Sequence, residues 1–135
     1  MFDEALAECK KAIEVDPQNW YAYIHIASIY EKKQMYEQAI AECQKIISFA
    51  PENFDAYSHL GYCYTKLEKW DSANTAYKKA VELNPVNADT QQGLLYVQEK
   101  LSSLQEDEGI ELWYSQESEN MNIDFSSPEK TFEAY

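Results

Sequence analysis

Three prolines spaced 34 residues apart, Pro17, Pro51 and Pro85, constrain the fold of this 135-residue chain more than any other feature. The segments between them can be laid over one another, so the chain contains an internal repeat. Self-similarity at a period of about 20 to 50 residues is typical of solenoids, in which each unit buries its apolar face only against its neighbours. The repeat therefore favours a recognition function over catalysis.

Apolar residues recur within each unit at intervals of three and four, which is the stripe of an amphipathic helix. In two successive units the stripes comprise Tyr23, Ile26, Ala27 and Tyr30, then Tyr57, Leu60, Gly61 and Tyr64. Each proline falls just past a stripe, where it can end a helix but not continue one. Glycine costs about 1 kcal/mol relative to alanine within a helix, so Gly61 predicts close helix-on-helix approach. The pattern predicts antiparallel pairs of helices at about 2–15, 20–33, 36–49, 54–67, 70–83 and 88–104.

The second half of each unit repeats as well, with Ala39, Cys43, Ile46 and Pro51 overlaying Ala73, Tyr77, Ala80 and Pro85. Residues 57–64, followed by Ala73 and Tyr77, resemble the tetratricopeptide repeat pattern W-x2-L-G-x2-Y, A-x3-F, P, with Tyr57 in place of Trp. The resemblance covers roughly residues 2–101. It implies an all-α, right-handed superhelix of antiparallel helix pairs, with a C-terminal capping helix and an acidic tail. The expected parts are a partial unit at 1–19, full units at 20–53 and 54–87, a capping helix at 88–105 and an aromatic-containing tail at 106–135.

The net charge of −13 limits the partners that this chain can bind. No basic face is available to neutralise phosphates, so we expect neither nucleic acid nor an anionic membrane as a partner. A basic or neutral protein is favoured, since an acidic surface steers it in. No run approaches the roughly 18 apolar residues of a membrane helix, and no signal peptide opens the sequence.

The three cysteines, Cys9, Cys43 and Cys63, are interpreted as small core residues. Cys9 and Cys43 hold equivalent positions on an inward stripe, where another unit has Tyr77. No C-x-x-C spacing or His/Cys cluster indicates zinc, so we expect no metal and no cofactor. An odd number of cysteines without the spacing of a disulfide or metal motif favours a reducing compartment, and we therefore expect a cytoplasmic protein.

The start of the sequence matches the second helix of a repeat, without the first. We therefore expect a fragment of a longer array. Otherwise Phe2, Leu6, Cys9 and Ile13 leave an apolar end face that another copy can cover.

The character of the chain changes after Gln105, and we expect Gly109 to mark the break after the capping helix. Residues 102–135 contain nine acidic residues against one lysine, Lys130, a composition typical of disorder in isolation. Aromatic and aliphatic residues interrupt the acids, as in segments that fold on a partner. One interpretation is an exposed appendage. The other is docking on a repeat surface, its own or a neighbour's, through Leu112, Trp113, Tyr114, Ile123 and Phe125.

In the tetratricopeptide family, the first helices of successive repeats line a concave groove that contacts the ligand. The resemblance implies the groove residues Tyr21, Ile24, His25, Ser28, Asp55, Ser58, His59, Tyr62, Asp89, Gln92 and Tyr96. His25 and His59 are equivalent by the 34-residue period, so we expect them on helices whose axes lie about 8 to 10 Å apart. Three interpretations stay open: peptide hydrogen bonding, which we favour, a pH-responsive pair, and a metal site. Two ligands make an incomplete metal shell, so the last is the weakest.

Some tetratricopeptide domains bind the C-terminal carboxylate of chaperone tails through groove Lys, Arg and Asn residues. The corresponding positions here read Ile24, Ser28, His25, Asp89 and Gly93. Asp89 would repel a carboxylate where a lysine is wanted. We therefore do not expect this chain to bind chaperone tails.

Catalytic motifs are absent from the sequence. It contains no Ser/His/Asp order, phosphate-binding glycine loop or H-E-x-x-H, and the acids of 106–108 fall in the expected tail, where nothing fixes a catalytic geometry. We predict a scaffold, without enzymatic activity, that binds a peptide segment or helix of a partner protein in the groove. The alternatives are a self-assembly module, using the open N-terminal end or the tail, and the targeting arm of a larger enzyme.

Overall fold

The computed structural model describes residues 2–121, and in this part of the chain all regular structure is helical. The helices are α1 (Phe2–Val15), α2 (Trp20–Lys32), α3 (Tyr36–Phe49), α4 (Phe54–Lys66), α5 (Trp70–Leu83) and α6 (Ala88–Met121). The predicted all-α class is therefore confirmed. Helices α1 to α5 begin and end within one residue of the predicted bounds. Prolines follow α1, α3 and α5, whereas Gln34 and Glu68, with φ of 60° and 57°, follow α2 and α4.

Successive helices pack side by side along the chain. Helix α1 contacts α2, α2 contacts α3, α3 contacts α4 and α4 contacts α5, while α2 also contacts α4. Contacts of this kind, between neighbours in sequence, are those by which a repeat protein buries its apolar surface. Residues up to Glu99 form one compact unit, and a second unit begins at Lys100.

An asparagine caps the N-terminus of α2, α4 and α6, at three positions 34 residues apart. The Asn53 side-chain oxygen accepts a hydrogen bond from the Ala56 backbone N–H at 3.0 Å. Asn19 and Asn87 accept the equivalent bond at 3.3 and 3.0 Å. Each bond satisfies an N–H group that has no partner within its own helix, so the sequence itself fixes where these helices begin.

Replacing Asn53 by alanine is expected to lower the free energy of unfolding by about 1 kcal/mol, because the Ala56 N–H loses its acceptor. Urea denaturation followed by circular dichroism measures the difference. The control is Asn84→Ala, since the Asn84 side chain makes no hydrogen bond within the described residues and its loss should cost less than about 0.5 kcal/mol. Equal losses in the two variants would contradict a capping role.

Tyr23 and Tyr57 occupy the position where the family pattern has tryptophan. Each hydroxyl donates a hydrogen bond to the carbonyl oxygen of the proline six residues earlier, at 3.1 and 3.0 Å. In the next unit the Gln91 side-chain amide donates to the Pro85 carbonyl. Polar side chains at this position therefore tie the turn after each proline to the helix that follows.

Small side chains dominate the core of the first unit. Residues with no exposed surface include Ala27, Ala39, Cys43, Ile46, Ala56 and Cys63. Burial, with a smaller contribution from the nearby Glu31 carboxylate, raises the pKa of the Cys43 thiol to about 12 and also raises the pKa of Cys63. Both thiols therefore stay protonated near neutral pH and act as core residues, as the sequence predicted, whereas Cys9 is only half-buried.

Gly61 permits the close helix approach that its mid-helix position predicted. A Cβ added at Gly61 would lie 2.6 Å from Cδ1 of Tyr77, and one added at Gly93 would lie 2.6 Å from Cζ of the same ring. The Tyr77 ring of α5 thus packs directly against the backbones of α4 and α6. In the preceding unit the equivalents of Gly61 and Tyr77 are Ala27 and Cys43. The smaller thiol there leaves room for a Cβ.

The C-terminal end of α6 differs from the prediction. The sequence predicted an end near residue 104 and a break at Gly109, but the helix continues through Gly109 to Met121. Residues 105–121 include five glutamates and two glutamines, whose helix propensity offsets the cost of one glycine, about 1 kcal/mol. The tail predicted at 106–135 is therefore helical as far as Met121, and the residues after it lie outside the described part. No described helix, α6 included, combines the length and apolar character needed to cross a membrane.

Candidate functional site

A pocket of about 370 Å³ opens between α2, α4, α5 and the first turn of α6. Its lining residues are Glu31, Ser58, His59, Tyr62, Tyr77 and Asp89. We call it the acidic pocket, because two of these residues are carboxylates and none is a lysine. The structure thereby brings together four of the predicted groove residues, namely Ser58, His59, Tyr62 and Asp89.

Glu31, near the end of α2, was not among the residues singled out from the sequence. Its Oε1 lies 2.6 Å from Nδ1 of His59 and accepts a hydrogen bond from the Cys63 thiol at 3.4 Å. The Glu31 side chain is only 13% exposed, and that of His59 is 26% exposed. The carboxylate therefore links α2 to α4 and orients the imidazole ring, through a bond that is charge-assisted when the ring is protonated.

The two histidines differ in their surroundings. His59 faces Glu31, whereas His25 is exposed and makes no hydrogen bond or ion pair within the described residues. His59 therefore has the Glu31 carboxylate as an ion-pair partner, and the interpretation of the two histidines as a pH-responsive pair stays a prediction. Among the described residues, no three His, Cys, Asp or Glu side chains are arranged to hold a metal ion.

Two tyrosines form the aromatic walls of the acidic pocket. The Tyr62 ring contacts the edge of the Tyr36 ring, with centroids 6.2 Å apart, and the Lys66 Nζ lies 5.5 Å from the Tyr62 centroid. Burial is the largest cause that raises the pKa of both Tyr62 and Tyr77. Both phenols therefore remain neutral near pH 7 and keep a hydroxyl donor.

The remaining predicted groove residues lie outside the acidic pocket. Tyr21 stacks on Trp20 with ring centroids 4.1 Å apart, and Tyr96 contacts the Trp70 ring at 6.0 Å. Ile24 packs against the core as a half-buried residue. The others in this group are His25, Ser28, Asp55 and Gln92. Their part in ligand binding stays a prediction.

The residues predicted to dock the tail fall partly within α6. Leu112, Trp113 and Tyr114 are 71%, 57% and 50% exposed. Trp113 and Tyr114 contact each other, and together with Gly109 they line a shallow cleft in the second unit. Ile123 and Phe125 lie outside the described residues. Docking of this segment therefore stays a prediction.

Solved structures with the same fold include domains bound to peptides. The first TPR of Spaghetti (RPAP3) bound to the HSP90 peptide SRMEEVD is 26% identical, with 75% of this chain and 80% of that chain covered and a TM-score of 0.71. The second TPR domain of human RPAP3 in complex with the HSP70 peptide SGPTIEEVD is 24% identical over 72% and 81% of the two chains, with a TM-score of 0.66. The Sgt2 TPR domain from Aspergillus fumigatus is 20% identical over 78% and 71%, with a TM-score of 0.73.

A comparison with curated protein sequences gives no match, whereas a comparison with models of protein families does. Models of the tetratricopeptide repeat match residues 1–60 and 54–87, and so span residues 1–87 without a gap. This chain therefore belongs to the tetratricopeptide repeat family.

Proposed function

We propose that this chain is a protein-interaction module without enzymatic activity, and that the acidic pocket is part of the surface that binds a peptide segment of its partner. The observation that carries the proposal is the pocket itself, in which Ser58, His59 and Tyr62 of α4 face Asp89 of α6. A solved structure 26% identical to this chain is bound to a peptide, which supports the same use here. Free, buried thiols at Cys43 and Cys63 are compatible with the cytoplasm as its compartment.

The peptide that this pocket binds differs in charge from the one in that similar structure. The HSP90 peptide SRMEEVD ends in two glutamates, a valine and an aspartate. In the acidic pocket such a peptide would meet the carboxylates of Glu31 and Asp89, and like charges brought together oppose binding. The chain is therefore proposed to bind a peptide other than an acidic chaperone tail.

Selection from a random-peptide display library against the full chain tests the proposal. The affinity of a selected peptide is then measured by calorimetry for the chain and for Tyr62→Ala, which removes one wall of the pocket. We expect Kd to rise about tenfold, as for loss of one aromatic contact residue. His59→Ala is a poorer choice, because it leaves the Glu31 carboxylate mostly buried without its imidazole partner.

Val86→Ala is the control, since Val86 is 88% exposed in the turn before α6 and lies outside the pocket. It should leave the affinity unchanged. Circular dichroism establishes that both variants remain folded. A library that yields no binder, or binders that are insensitive to Tyr62→Ala, would contradict the proposed site.

Self-assembly is a second candidate function, favoured by apolar side chains exposed on α6. Ile110, Leu112 and Trp113 are 54%, 71% and 57% exposed within the second unit. Burying them against another copy would remove apolar surface from water. Sedimentation equilibrium across micromolar to millimolar concentrations distinguishes the two functions. A mass that stays monomeric over that range contradicts self-assembly and leaves peptide binding standing.

A further inference from the structure

We infer that the acidic pocket accepts the arginine side chain of a basic peptide from another molecule. The inference rests on the proposed peptide-binding function and deepens it by naming the chemistry of the ligand. It combines three observations: the charge of the lining residues, the aromatic walls, and the composition of the chain itself.

The summed charge of the lining residues is negative whether the His59 imidazole is neutral or protonated. Glu31 and Asp89 supply two carboxylates from different helices, and His59 is the only basic side chain among the six lining residues. The pocket therefore carries a charge of −2 with a neutral imidazole and −1 with a protonated one. Lys66 lies outside the lining set and contacts the Tyr62 ring, so it does not neutralise the pocket from within.

Glu31 retains an acceptor for a ligand even though it is engaged with α4. His59 and Cys63 both use its Oε1. Its Oε2 has no hydrogen-bond partner within the described residues, and the Asp89 side chain, which lines the same pocket from α6, is exposed. A guanidinium group presents five N–H donors in a planar fork, so it can donate to the carboxylates of two residues at once.

The walls of the pocket favour a guanidinium over an ammonium group. Tyr62 is 40% exposed and Tyr77 is mostly buried, so the ligand meets mainly the ring of Tyr62. Arginine stacks its planar head on aromatic faces and is more weakly hydrated than lysine, so entering a partly enclosed site costs it less. The assignment is therefore arginine in particular rather than any cation.

The arginine that enters the acidic pocket comes from a different protein, not from this chain or a second copy of it. The sequence contains no arginine, and residues 106–135 carry nine acidic residues against Lys130. The acidic segment is therefore repelled by the pocket, and a second copy of the chain offers no guanidinium. A basic segment of a different protein has the complementary charge.

Titration of the ¹⁵N-labelled full chain with the peptide acetyl-Ala-Ala-Arg-Ala-Ala-amide, followed by NMR, tests the inference. We expect saturable shifts of Ser58, His59, Tyr62 and Asp89. The matched peptide carries citrulline, which has the shape of arginine without its charge, and should bind about tenfold more weakly. Asp89→Asn should weaken binding of the arginine peptide by a similar factor. Asp71→Asn removes the same charge from α5 outside the pocket and should change little.

Four results would overturn the inference. They are equal binding of the citrulline peptide, equal binding of a third peptide with lysine in place of the arginine, equal effects of Asp89→Asn and Asp71→Asn, and the absence of saturable shifts at millimolar peptide. Failure here is distinguishable from failure of the proposed function. Selected peptides that lack arginine but depend on Tyr62 overturn the arginine assignment alone, whereas a library without binders overturns both.

Discussion

Replacing Gly61 by leucine is expected to lower the free energy of unfolding by about 3 kcal/mol. The first added carbon would already lie 2.6 Å from the Tyr77 ring, and the movement of the ring is limited because it also packs against the backbone of Gly93. Helices α4 and α5 must therefore separate. Urea denaturation monitored by circular dichroism gives the free energy of unfolding. Stability equal to that of the parent chain, in urea or on heating, would refute the placement of Gly61 at the contact with Tyr77.

Gly109→Leu is the matched control, since a Cβ at Gly109 would meet nothing within 4 Å. Leucine has the higher helix propensity by about 0.8 kcal/mol, so the control should raise the helicity of α6 slightly. A second control changes the contact partner of Gly61, Tyr77, to a smaller residue. Combining Gly61→Ala with Tyr77→Cys gives the two residue types, Ala27 and Cys43, that the preceding unit has at these positions. The double variant should therefore lose less stability than the sum of the losses of the two single variants.

Truncating Ile46 to alanine is expected to cost about 3 kcal/mol, because Ile46 has no exposed surface and its loss leaves a cavity that close-packed neighbours cannot fill. The same denaturation experiment measures the effect. Leu95→Ala, which removes a comparable apolar side chain that is 60% exposed, should cost less than about 0.5 kcal/mol. Similar losses at the two positions would place Ile46 outside the core.

The sequence predicted α1 to α5 nearly to the residue because the signals for their ends are local. Proline stops a helix whatever surrounds it, and the capping asparagines bond within three residues of themselves. The C-terminal end of α6 was missed because Gly109 was interpreted as a break. One glycine ends a helix only when its neighbours lack helix propensity or a C-cap forms, and neither holds there.

The candidate site was only partly predictable. Ser58, His59, Tyr62 and Asp89 follow from the repeat phase, which places equivalent positions on one face. Glu31 does not, because its contact with His59 joins residues 28 apart and depends on how α2 lies beside α4. The equivalent position in the next unit is Thr65, so periodicity carried no signal for a carboxylate. A charged residue near the end of a helix is usually solvated, and only the packing reveals that this one is mostly buried.

The fit of one tyrosine ring between two glycines has a consequence for the ancestry and engineering of the chain. Units that arise by duplication are often treated as interchangeable modules. Here a unit with Tyr77 at its second-helix position requires glycine in its own first helix and in the first helix of the next unit. A unit moved without those glycines could not pack its tyrosine ring. The sizes of the side chains at the contacts between units therefore determine the order in which the units can follow one another.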